Sequence, residues 1–308
     1  MVLFIKISRL IYGFFFVLFI TLAIPAVSTG ETFIDSLGRK VTLNKLPSRI
    51  IPLAPSLTEI LYYLGLGDRV VGVTDFSYYP PEALEKPRVG TYIKLNIEKI
   101  ISLSPDLVLG TKDGNNPGIV DLLEQAGIQS YIVNPRNIRE VIDTIPEIGR
   151  LCGVSRRADK SAQQLRVRLE RVIKTVESKE KPLVFLQINI QPIMTVNKNT
   201  FHHDLITLAG GRNMTGDEYI TYPRISLEEV IKKNPDIIII SSMERGGRFE
   251  KARQEWLKWT SIPAVRNNRV HLIDSDLIDR PSPRIIDGLE AMARMIHPEA
   301  DWSSIVGK

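Results

Sequence analysis

The sequence predicts an α/β protein of two lobes, each a mostly parallel sheet flanked by helices, bridged by one long α-helix. Three observations carry this. Short β-branched runs alternate with segments of helical period, the pattern of βα units and parallel sheets. Two fourteen-residue stretches of like pattern align without a gap, offset by 130 positions. Between the copies lies a run without Gly or Pro. The 308 residues exceed one ordinary core and suit two domains.

Taken in chain order, residues 1–28 read as a secretory signal peptide. Lys6 and Arg9 form a basic start, an apolar stretch follows to Ile24, and Pro25-Ala26-Val27-Ser28 supplies small residues two apart. Cleavage is predicted after Ser28, giving a periplasmic protein; the other reading is an uncleaved membrane anchor. A lipoprotein would need a cysteine at the cleavage point, and none stands there. Residues 29–154 form the first lobe, with strands predicted over 50–53, 70–73, 107–109 and 130–133. Residues 155–181 are the connecting helix. Ser155 is its predicted N-cap, and Ala158, Ala162, Leu165, Leu169, Val172 and Val176 recur at intervals of four and three as one apolar stripe. A helix over 156–181 would run about 40 Å, enough to reach across both lobes. Residues 182–308 form the second lobe, with strands predicted over 183–188, 237–240 and 270–273.

The repeat pairs residues 96–109 with residues 226–239 without a gap. Each copy reads as a cap (Asn96, Ser226), a short helix, a Pro-Asp turn and a buried strand, and Ser226 with Glu229 forms a capping box. Each strand runs into a polar loop, residues 110–118 in one half and 241–247 in the other. Loops at the carboxyl ends of parallel strands are where open α/β sheets bind ligands, so a cleft between the lobes would carry both.

Composition and motifs narrow the function. Apolar residues make up 44% and charged residues 24%, as in ordinary globular proteins. The net charge of +5 falls by two once Lys6 and Arg9 leave with the signal. No run of Lys and Arg tracks phosphates, so nucleic acid is a poor partner. Cys152 is the only cysteine, which excludes an internal disulfide and a CxxC pair, and its apolar neighbours mark it as a buried hydrophobe. No GxSxG elbow, HExxH, phosphate loop, GxGxxG or acidic calcium loop occurs, so the chain is not read as an enzyme and no cofactor or metal is expected. The competing reading is a metal-dependent periplasmic enzyme using His202, His203 and His271. Adjacent histidines point in different directions and rarely share a metal.

Aromatic residues gather near predicted loops instead. Phe76, Tyr78 and Tyr79 precede Pro80-Pro81, Tyr92 follows Gly90, and Phe201, Tyr219 and Tyr222 stand in the second half. Exposed aromatics usually meet something, and a cleft lined by them suits a large, flat, partly apolar ligand.

Arg49-Ile-Ile-Pro-Leu-Ala-Pro-Ser-Leu-Thr-Glu-Ile, Gly72-Val-Thr-Asp-Phe-Ser-Tyr-Tyr-Pro-Pro-Glu-Ala, Leu95-Asn-Ile-Glu-Lys-Ile, Pro105-Asp-Leu-Val-Leu and Ser282-Pro-Arg-Ile-Ile resemble periplasmic substrate-binding proteins of the vitamin B12 and iron-siderophore class. The similarity runs from about residue 49 to about residue 297. Phe185-Leu-Gln, Ala209-Gly-Gly-Arg-Asn and residues 276–284 lean toward its cobalamin-binding members. The resemblance implies a corrinoid held between two lobes and delivered by a monomer to the permease subunits of an ABC importer; a haem or iron-siderophore carrier is the related alternative. Carried over by position, it assigns ligand contact to Phe76 and to Tyr92, which stands for a stacking tryptophan. It also assigns the second-lobe loop Asp276, Leu277, Ile278, Asp279 and Arg280, with Arg280 as a donor to corrin amides or to a nucleotide-loop oxygen. Leu277 and Ile278 stand where the family often has aromatics. Ser282 before Pro283 is read as a cap that starts a helix and holds this loop. Glu98 and Glu228, at equivalent repeat positions, resemble the two glutamates that dock such proteins onto permease arginines.

Overall fold

The computed structural model describes residues 30–91, 93–241 and 248–303. The fold is the two-lobed α/β architecture that the sequence predicts. After an antiparallel hairpin of β1 (Glu31–Ile34) and β2 (Lys40–Leu43), the first lobe builds a parallel sheet in the order β3 (Ile50–Pro52), β4 (Leu107–Thr111), β5 (Ser130–Val133). The second lobe builds a parallel sheet from β6 (Leu183–Gln187), β7 (Arg212–Asn213), β8 (Ile237–Ile240) and β9 (Val270–Leu272), in the order β7-β6-β8-β9. Strand β8 is four consecutive isoleucines, all fully buried, as a strand covered by helices on both faces requires.

The strand predicted over 70–73 is a correction. Val71 N donates to the Ile50 carbonyl at 3.0 Å, whereas Val73 N donates to the Pro87 carbonyl at 2.9 Å. The segment turns from one neighbour to another before a ladder forms, leaving only bridges at Ile50–Val70 and Val73–Arg88.

Both repeat copies fold alike. Asn96 caps helix Ile97–Ser102 by accepting from Lys99 N at 2.8 Å, and Ser226 caps helix Leu227–Lys233 by accepting from Glu229 N at 3.2 Å. The aspartate of each Pro-Asp turn pins the start of the neighbouring strand. Asp106 accepts from Ser48 N and Arg49 N at 3.0 and 2.9 Å, ahead of β3; Asp236 accepts from Leu183 N at 2.8 Å, at the start of β6. Burial alone would raise the Asp106 carboxyl, but these amide bonds hold it below the usual range.

The connecting helix spans Ser155–Val176, about 33 Å of axis. Its six buried residues are those of the predicted stripe. The ends differ from expectation. Val154 occupies the cap position with no side-chain bond, Ser155 is the first helical residue, and the helix stops five residues short of Lys181. One face packs on helix Ile138–Leu151 of the first lobe, where a Cβ at Gly149 would collide with Ala158. The helix also packs on Ile285–Ile296 of the second lobe, and Arg168 donates to Glu290 at 2.8 Å and Asp287 at 2.6 Å. One hydrophobic cluster runs from Val41 through the connector stripe to Trp302, so the lobes share a core along the helix. Cys152 lies fully buried in it, and burial pushes its thiol up to about 12.

Candidate binding cleft

Because both sheets are parallel, their carboxyl ends each gather on one edge, and the loops leaving those edges face each other. Residues 74–80 of the first lobe meet residues 279–284 of the second. Arg280 Nη2 donates to the Phe76 carbonyl at 3.2 Å. Beneath this contact sits Glu59, on helix Pro55–Tyr63, with a side chain 2% exposed. Its Oε1 accepts from Arg280 Nη1 at 3.0 Å and Arg284 Nη2 at 2.7 Å; its Oε2 accepts from Arg284 Nε at 2.9 Å and Ser282 Oγ at 2.6 Å. Arg284 therefore grips Glu59 with a two-pronged fork, the strong geometry for a guanidinium and a carboxylate. Burial alone would lower Arg284, but the bond and charge of Glu59 hold it above its ordinary value.

The aromatic side chains of the first lobe lie on this clasp. The Arg284 guanidinium is 3.9 Å from the Tyr79 ring centroid, and that of Arg280 is 5.3 Å from the Tyr78 ring. Phe76 meets Tyr78 edge to face at 6.4 Å. Phe76 and Tyr79 are 45% and 44% exposed. Arg280 also pairs with Asp276 at 3.0 Å, so two guanidiniums face two carboxylates.

The sequence-predicted residues divide between surface and core. Phe76 stands at the cleft surface, and Asp276 lies part-exposed beside Arg280. Tyr92 and residues 242–247, which include most of the polar loop after β8, lie outside the described residues. Leu277 is half-buried against the shared core. Ile278 is fully buried in that core, so its side chain packs the lobe and does not reach a ligand; a Cβ at Gly288 would collide with the Leu277 carbonyl, which shows how closely helix Ile285–Ile296 presses on this loop. Asp279 is also turned inward, accepting from His202 Nε2 at 2.8 Å and from Ser241 Oγ at 3.3 Å. Arg280 does not stand free as a donor, being engaged by Glu59, Asp276 and the Phe76 carbonyl. Ser282 does not start the helix, which begins at Ile285; its hydroxyl turns to Glu59.

Sequence reasoning missed Glu59 and Arg284. The signal was present, since Glu59 is a charge among the apolar positions Leu57, Ile60 and Leu61, all of them buried. Tyr219, 98% exposed, with Ile220 and Tyr222, projects from the loop between β7 and helix Leu227–Lys233, on the same edge of the second sheet.

The histidines do not converge. His202 faces Asp279, whereas His203 Nδ1 accepts from Asn213 Nδ2 at 3.2 Å, and His271 sits within β9. Among the described residues no three His, Cys, Asp or Glu side chains form a group able to hold a metal. A depression of about 430 Å³ runs along the edge strand β7 of the second sheet, bordered by Lys181, Arg212, Asn213, His203 and Asp217. Glu98 and Glu228 are exposed in the first turns of their helices. Glu228's own amide and the Ser226 hydroxyl hold its carboxyl below the usual range.

Residues 50–277 match the family described as periplasmic binding protein. The chain belongs to that family. This binding protein is 34% identical over 275 residues to YvrC, an ABC transporter substrate-binding lipoprotein of Bacillus subtilis, covering 87% of this chain and 86% of the relative. Its structure resembles the periplasmic vitamin B12 binding protein of Vibrio cholerae, with a TM-score of 0.73 and 33% identity over 82% of this chain and 97% of that one. It also resembles a periplasmic heme binding protein of Pseudomonas aeruginosa, with a TM-score of 0.74 and 27% identity over 83% and 95%. No described helix is long and apolar enough to cross a membrane.

Proposed function

We propose that this protein captures cobalamin or a related corrinoid in the cleft between its lobes and delivers it to an ABC importer, with no chemistry and no resident cofactor of its own. The observation that carries the ligand class is the pairing of an aromatic wall with a charge-balanced floor. Phe76 and Tyr79 offer exposed ring surface, and Arg280 and Arg284 are matched by Glu59 and Asp276. A corrinoid is a broad macrocycle rimmed by neutral amides, which asks for stacking surface and hydrogen bonds but no net charge. The likeness to the Vibrio cholerae vitamin B12 binding protein supports the same reading. On this reading residues 1–28 are a cleaved export signal, the protein acts as a periplasmic monomer, and Glu98 and Glu228 meet the permease.

The second reading is a haem carrier. Tyr78 and Tyr79 place phenols at the cleft, and a phenolate is an axial ligand that haem iron accepts. Calorimetric titration with cobalamin, cobinamide, haem and a ferric siderophore separates the two. The corrinoid reading expects a one-to-one pink complex with cobalamin; haem binding tighter than cobalamin overturns it.

A further inference from the structure

We infer that Glu59 is a specificity-determining residue, which with Asp276 cancels the charge of Arg280 and Arg284 and so selects macrocycles with neutral rims against macrocycles that carry carboxylates. The inference rests on the corrinoid reading above and adds a residue-level reason for it.

Among the described residues the charges at the cleft floor balance. Glu59 touches both guanidiniums, Asp276 touches Arg280, and Ser282 adds a neutral donor. The neighbouring loop does not disturb the balance. Arg88 is turned to the carbonyls of Thr74 and Ser77 at 2.8 and 2.9 Å, and Asp75 on the same loop carries the opposite charge. Asp279 is held by His202 and Ser241, away from the clasp. Arg280 and Arg284 keep 12% and 17% of their side chains exposed while Glu59 lies behind them at 2%. A ligand thus meets guanidinium edges whose charge is already cancelled from behind. Neutral amides can bond only to the N–H groups of these five-donor guanidiniums that Glu59, Asp276 and the Phe76 carbonyl do not take, whereas a ligand carboxylate must either displace Glu59, leaving it buried and unpaired, or accept a donor with little net attraction. The placement discriminates by charge and leaves the shape of the cleft unchanged.

The test is the ratio of haem to cobalamin affinity, haem bearing two propionate carboxylates and cobalamin a rim of amides. Glu59→Gln keeps the side-chain shape and removes one negative charge; Asp276→Asn removes the other from a more exposed position. Each is expected to raise the ratio about tenfold, the scale of one unit charge acting across a partly wet cleft. The gain should shrink at 0.5 M salt, which a merely loosened cleft would not show. Wild-type protein that binds cobalamin, with both variants raising the ratio in this salt-sensitive way, supports the inference. Wild-type binding of cobalamin with ratios unchanged within about twofold in both variants overturns it and leaves the corrinoid reading standing. A rise in Asp276→Asn alone, with folded Glu59→Gln unchanged, overturns the assignment of Glu59. If Glu59→Gln does not fold, Asp276→Asn decides whether charge cancellation selects. Failure of the wild type to bind cobalamin removes the reading and the inference together, before any variant is made.

Discussion

Phe76 carries a tension between sequence and position: a large apolar ring, nearly half exposed, on a loop that a second lobe touches through its backbone carbonyl. On the proposed function, burial against a ligand would resolve that tension. Phe76→Ala is expected to weaken cobalamin binding about three- to tenfold, the range of one stacking contact, with the thermal midpoint nearly unchanged; calorimetry and a melting curve check both. His271 belongs to the same scale for a different reason. Burial, reinforced by Arg269 and Arg253, lowers its imidazole below the ordinary value, as burial also does for His203. Below about pH 6.5 the unfolded chain therefore takes up protons before the folded one does, and stability is lost as the pH falls toward the depressed folded values. His271→Asn should flatten the denaturant midpoint between about pH 7 and pH 5, where the wild type declines. Single residues were the least legible level. Ile278 and Asp279 were assigned to the ligand by position along a loop, but the loop alternates between surface and core, and only packing against helix Ile285–Ile296 decides which side chain turns which way.

At the scale of elements, periodicity was a reliable guide where burial is one-sided. The connector stripe in the sequence matches the buried residues of helix Ser155–Val176, because a helix lying on a core has to keep one apolar face. Leu169→Ala is expected to cost about 2–5 kcal/mol in chemical denaturation, since Leu169 sits fully inside the shared core. Strands β1 and β7 were not legible. The first is mostly exposed and the last only two residues long, so neither imposes an alternating pattern. The internal repeat was legible down to its caps, because cap, turn and strand each demand a residue type at a fixed spacing. It also places Glu98 and Glu228 on matching outer turns. Glu98→Arg combined with Glu228→Arg should abolish transport in cells and leave ligand affinity intact; a fall in affinity would show that these carboxylates serve the cleft and not a permease.

At the scale of the whole molecule, the two lobes are joined in three ways: by the connector, by the core that follows it, and by the clasp at Glu59. A direct bond adds to these, with Ile138 N of the first lobe donating to Asp204 of the second at 2.7 Å. Such a frame lacks the slack strands about which lobes swing apart. Small-angle scattering should show nearly the same radius of gyration with and without ligand; a large closure on loading would contradict the connector as a rigid strut. The arrangement of lobes was readable in advance because it follows from repeat, rod and length, whereas the clasp joins residues more than two hundred positions apart that no local pattern connects.

The stiffness of the connector reaches beyond the cleft. If empty and loaded forms share one outline, a transporter that reads outline alone accepts both, and unladen protein becomes a competitor for the docking site. Uptake by reconstituted vesicles should then decline when apo protein is added in excess at fixed ligand, with the decline setting in as free carrier outnumbers cargo.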